Sequence, residues 1–194
     1  MFFLYSAATQ HLGNYIESRR GIQLQDKLLY ILPSIDFSEY IFLTLYVSLG
    51  LVVLLHLNRP KVILRIIEMH FAVAVLRQLC ILLVALEPPV GIIVLRDVFL
   101  ENTVYPHHSP MTKDLFFSGH VASIWLYFLC AEVKWLKRFL LVATGLMAFM
   151  ILSMKVHYTY DVYGALVFTT ILFYVPLWIR SFVLNKQAVE VESE

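Results

Sequence analysis

The sequence has almost no charge of one sign to spare: 15 lysines and arginines stand against 14 aspartates and glutamates, for a net charge of +1. The basic residues are scattered along the chain, which leaves no patch for nucleic acid. Cysteine is scarce. Cys80 and Cys130 sit inside apolar runs and fit neither a disulfide framework nor a metal-ligand spacing, so they read as packing residues. There is no internal repeat and no low-complexity tract. The stretch from Met1 to Thr9 is apolar but too short to span, and it lacks the basic flank and small-residue cleavage site of a signal peptide. What the chain does have is apolar surface. It is 60% hydrophobic and 14% aromatic with a mean hydropathy of +0.75, beyond the roughly 45–50% apolar content of soluble domains. The expected class is an all-α, polytopic transmembrane bundle forming one membrane domain.

Residues 1–39 are the least regular part and read as an interfacial segment or the remnant of a first span, with Leu32-Pro33-Ser34-Ile35-Asp36 ending any helix before it. A catalytic transmembrane region then covers 40–179, and 180–194 is a polar tail. Five spans are expected: Tyr40 to Leu57, Val62 to Leu86, Leu115 to Val133, Phe139 to Ser153 and Asp161 to Ile179. The second carries Arg65, Glu68, His70 and Arg77, which have to be hidden among neighbouring helices or brought to a surface. Glu87-Pro88-Pro89 breaks it, and Lys134 to Arg138 reads as a basic turn. The turns at 58–65 and 134–138 and the tail hold Arg59, Lys61, Arg65, Lys134, Lys137, Arg138, Arg180 and Lys186. That bias orients them to the cytoplasm and puts His120, His157 and Asp161 together on the opposite, non-cytoplasmic face.

Those three residues suit transfer at phosphorus. A neutral imidazole attacks best when a carboxylate accepts its other N–H, and Asp161 lies one helical turn from His157. A second imidazole, His120, can protonate the leaving alkoxide and later deprotonate the incoming hydroxyl or water. Lys155, Lys113, Arg96 and the backbone amides near Ser118 and Gly119 are available for the phosphoryl oxygens. Arg77 fits either an internal ion pair, with Glu68 as one partner, or a charge at the floor of a headgroup pocket. Tyr158, beside His157, is a substrate-side candidate, although with Tyr160, Tyr163, Trp125, Trp135 and Trp178 it is also of the type that anchors at membrane interfaces. His11, His56, His107 and His108 read as interfacial, packing or loop histidines, and no metal site is expected. The His157–Asp161 pair has a plain alternative: an aspartate near a helix start caps it whatever else it does.

The same residues carry a resemblance. Asp114-Leu115-Phe116-Phe117-Ser118-Gly119-His120 resembles the Asp-x-x-x-Ser-Gly-His motif of the sphingomyelin synthase-related family, and His157-Tyr158-Thr159-Tyr160-Asp161-Val162 resembles its His-Tyr-Thr-x-Asp-Val motif. Fainter matches run from Arg77 to Gly91 and over Leu32 to Asp36. The chain departs from the family at Thr112-Lys113, where it has Cys-Gly, and at Val121, where it has threonine; residues 1–13 cover at most the end of its first span. That family lies within the type-2 phosphatidic acid phosphatase superfamily. The resemblance implies a bundle of six spans and a site facing away from the cytoplasm, with His157 as nucleophile, Asp161 as its orienting carboxylate and His120 as acid and base. Asp114, Ser118, Gly119, Lys155, Tyr158 and Arg77 are then the substrate-side candidates, without cofactor or metal.

The expected activity is an integral-membrane lipid phosphotransferase or phosphatase working through a phosphohistidine. A phospholipid serves as donor and ceramide or diacylglycerol as acceptor; nucleic acid is not a partner. A simple phosphatidic acid or isoprenoid-phosphate phosphatase and a non-catalytic scaffold of the same fold are the alternatives.

Overall fold

The computed structural model describes residues 12–96 and 111–192, with side chains through residue 175. After a helical segment at 12–18 come α1 (Lys27–Ile31), α2 (Ser38–Leu55), α3 (Pro60–Leu83), α4 (Gly119–Cys130), α5 (Lys134–Ser153) and α6 (Thr159–Glu192). Among the described residues there is no strand; the one extended pairing is a bridge between Ile22 and Leu86.

Local chemistry sets the boundaries. Asp36 accepts hydrogen bonds from the Ser38 backbone amide at 2.9 Å and hydroxyl at 2.7 Å, which starts α2 two residues before the expected Tyr40 and holds the Asp36 carboxyl below its ordinary pKa. Pro60 opens α3 at a position where its missing amide costs nothing. Lys134 to Arg138, expected as a turn, are instead the first residues of α5. The polar tail expected from residue 180 continues α6 as helix through Glu192.

Among the described residues three helices, α2, α3 and α5, are long and apolar enough to cross a membrane. Of the other two expected spans, α4 has 12 residues, and the part of α6 with described side chains, Thr159–Val175, is a shorter apolar helix. α4 is nevertheless the centre of the bundle. It packs on α2, α3, α5 and α6, and Val121, Ala122, Ile124 and Leu126 are all but inaccessible. In contrast, only 22% of the apolar window of α2 and 17% of that of α3 is buried, against 50% for α5. These outer helices turn leucines, isoleucines and valines outward, as a lipid-facing surface requires.

The polar residues of α3 are accommodated in different ways, two by partners in the bundle and two at its surface. Arg65 lies over the Phe173 ring of α6 at 4.1 Å, His70 stacks on Tyr127, Arg77 is paired with Asp114, and Glu68 is exposed. At one end of the bundle the α2–α3 and α4–α5 turns meet. His56, fully buried, accepts from the Glu132 amide through Nε2, and Arg59 pairs with Glu132. The other end gathers the segments at 19–26, 84–93, 112–118 and 154–161 through hydrogen bonds that join them.

Candidate functional site

The second motif forms the start of α6. Asp161 Oδ2 accepts the backbone N–H of Tyr158 at 2.8 Å, the return half of a capping box. The same oxygen meets His157 Nδ1 at 3.2 Å. Their side chains are 3% and 0% exposed. The carboxylate therefore caps the helix and holds the histidine at once, so the two expected roles of this pair are not exclusive. With Nδ1–H donating to Asp161, the Nε2 lone pair is left for chemistry.

The first motif is shaped from below by Arg77. Its guanidinium pairs with Asp114 Oδ2 at 2.9 Å, donates to the Phe117 carbonyl at 2.7 Å and reaches the Asp114 carbonyl at 3.2 Å. These bonds hold 114–118 out of helix, which is why α4 begins at Gly119 rather than at the expected Leu115. The partner is Asp114, not Glu68. Since α3 ends at Leu83, Arg77 lies about 9 Å from that end. Gly119 packs on it closely enough that a Cβ would stand 3.2 Å from Arg77 Nε. His120 follows, its ring edge-on to Phe42 of α2 with centroids 5.5 Å apart.

The fold joins the two motifs directly. The Ser118 amide donates to the Asp161 carbonyl at 3.2 Å, and a Cβ on Gly164 would come within 2.9 Å of the Phe116 ring. So the chain entering α4 lies flat on the first turn of α6. Arg77, Asp114, Gly119 and His120 line a cavity of about 320 Å³ with His70 and Ser123 in its wall.

Other expected site residues fall elsewhere. His157 does not line that cavity. The Ser118 side chain is fully buried, and its Oγ has no hydrogen-bond partner among the described residues. Tyr158 is 1% exposed, which removes it from the interface anchors. Its hydroxyl accepts from the Leu24 amide at 3.2 Å and donates to the Glu87 carbonyl at 2.9 Å, and burial raises its pKa. Lys155, in the left-handed region at φ 56°, lines a second cavity of about 410 Å³ together with Gln23, Asp26 and Tyr158. Lys113 is bound to Glu87 at 2.9 Å and to the Arg19 carbonyl at 2.8 Å. Tyr160 and Tyr163 are exposed. His11, His107 and His108 lie outside the described residues. Among the described residues, no three histidine, cysteine, aspartate or glutamate side chains gather as a metal site.

Sequence reasoning missed what surrounds the motifs. Leu24, Asp26 and Glu87 all bond to the Tyr158–Thr159 segment, and Glu17 takes the amides of Thr112 and Lys113 at 2.6 and 2.7 Å. These partners are 71 to 134 positions away for Tyr158 and Thr159 and 95 to 96 for Glu17, and nothing in their local pattern signals the pairing.

Searches of curated proteins and of solved structures give no significant match. Residues 112–177 match the family model described as PAP2 superfamily C-terminal. The match takes in both motifs, α4, α5 and the apolar part of α6, about a third of the chain, and it supports membership of the type-2 phosphatidic acid phosphatase superfamily.

Proposed function

We propose that this chain is an integral-membrane enzyme that transfers a phosphoryl group or a phosphate-bearing headgroup of a lipid, at the non-cytoplasmic face, in the manner of the sphingomyelin synthases. One observation carries the reading: a buried His157–Asp161 pair at 3.2 Å lies on the segment that leads into His120. His157 Nε2 attacks phosphorus while Asp161 takes up the positive charge that forms on the ring. The P–O bond to the leaving group breaks, and His120 gives that alkoxide its proton. His120 then removes a proton from water or from a second lipid's hydroxyl, which attacks the phosphohistidine and frees His157. Arg77 and Asp114 shape the cavity mouth beside His120, and the scheme uses no metal.

The test is turnover of the purified chain in detergent with labelled phosphatidic acid, phosphatidylcholine or phosphatidylinositol, with and without ceramide or diacylglycerol. EDTA should leave it unchanged. Free phosphate from phosphatidic acid, or free phosphocholine or phosphoinositol from the other two, assigns hydrolysis, and a new phospholipid assigns transfer. His157→Ala should abolish both; equal turnover in that variant would overturn His157 as the nucleophile, and no turnover of any of these lipids by the unaltered chain would leave the fold as a scaffold.

A further inference from the structure

The segment before α2 contains neither motif, yet it ends against the start of α6. Asp26 makes the contact. It is 7% exposed, its Oδ1 accepts the Leu28 amide at 3.1 Å and caps α1, and its Oδ2 accepts the Thr159 amide at 2.6 Å.

Two adjacent amides at the start of α6 therefore have two carboxylates to share. Asp26 takes Thr159, and Asp161 takes Tyr158 with the oxygen that also holds His157. The other oxygen, Asp161 Oδ1, is buried without a partner among the described residues. Were Asp26 absent, the part-buried Thr159 N–H would lose its acceptor two residues from a carboxylate with an unused oxygen. Asp161, two residues on, carries the spare oxygen, and turning Oδ1 toward that donor rotates Oδ2 away from His157.

We propose that Asp26 is a positioning residue for the His157–Asp161 pair: by occupying the Thr159 amide, it leaves Asp161 directed at His157. Only the catalytic consequence rests on His157 being the nucleophile; the positioning does not.

The proposal is tested on the full chain in detergent by a measure of His157 that needs no substrate. Diethyl pyrocarbonate modifies imidazoles, and peptide mass mapping gives the rate at His157 relative to His56, which is buried at the far end of the bundle. Asp26→Ala should raise the relative rate at His157 about tenfold and, with phosphatidic acid as substrate, lower kcat by about 10–100-fold at unchanged KM. Thr159→Pro removes the competing donor at a helix position where proline is well accepted. Added to Asp26→Ala, it should return both measures to within about twofold of the wild type. An Asp26 that merely ties the chain together would gain nothing from that second change, because the tie stays broken.

Should Asp26→Ala not fold, Asp26→Ser keeps a cap for α1 but is too short to reach Thr159, and it takes the same place in the series. Wild-type reactivity at His157 in the single variants, or no recovery in the double variant, overturns the proposal. A shift in His157 reactivity together with full turnover in His157→Ala would uphold the positioning and reject the catalytic reading.

Discussion

Asp161 accepts from a backbone amide and from an imidazole with one oxygen, which separates its two duties by experiment. Asp161→Asn keeps an acceptor for the Tyr158 amide but loses the charge and favours the wrong His157 tautomer. Turnover should fall by about 10²–10⁴-fold, while the melting temperature moves by only a few degrees, about what 1 kcal/mol gives in a chain of this size. Steady-state kinetics beside thermal unfolding in detergent checks both. The four-residue spacing of His157 and Asp161 made this pair legible in the sequence, although His157 stands two residues before the first residue of α6 and meets Asp161 through the cap of that helix rather than as a helical neighbour. Arg77 was half legible. Its presence within an apolar run announced a partner, but Glu68 and a headgroup were equally consistent with it. The true partner, Asp114, is reached only because 114–118 folds back over α3.

The chain entering α4 touches α6 where a side chain would be in the way. A Cβ on Gly164 would meet the Phe116 ring at 2.9 and 3.1 Å and the Phe117 Cβ at 3.2 Å, so Gly164→Ala has to push the first motif away from α6. It should cost about 1–3 kcal/mol as overpacking does and lower turnover as well. Gly145, inside α5 with nothing within 4 Å of its would-be Cβ, is the control: Gly145→Ala should leave turnover unchanged and raise stability by up to about 1 kcal/mol, as alanine does in a helix interior. Hydropathy alone located α2, α3 and α5 to within a few residues. It failed at the start of α4 because Leu115, Phe116 and Phe117 are as apolar as any span, while the Phe117 and Asp114 carbonyls are held by the Arg77 guanidinium outside the helix.

In the molecule as a whole, the segment at 12–31 is tied to the loops that carry the motifs. Arg19 bonds to carbonyls at the end of α3, Gly21 donates to Glu87 at 2.8 Å, and Glu87 in turn receives Lys113 at 2.9 Å. The Lys113 ammonium, first, and the Gly21 amide hold the Glu87 carboxyl below its ordinary pKa. A carboxyl depressed in the folded state stabilises that state above its unfolded pKa, and the contribution disappears as pH falls through the folded value. Protection of the amides at 19–24, taken relative to the intrinsic exchange rate at each pH, should therefore fall on acidification below the usual carboxylate range, and Glu87→Gln should show the lower protection already at neutral pH. An unchanged exchange profile in that variant would contradict the assignment. The length of α4 bears on how any substrate arrives. Twelve residues rise about 18 Å, against a hydrocarbon core of about 30 Å. With its far end level with one membrane surface, its first turn stops about 12 Å short of the other. A lipid would have to sink its phosphate below the plane of its neighbours, or the bilayer would have to thin around the protein, before the headgroup came within reach of His120. Turnover should then depend on acyl-chain length in the surrounding membrane as well as on the chemistry of the headgroup.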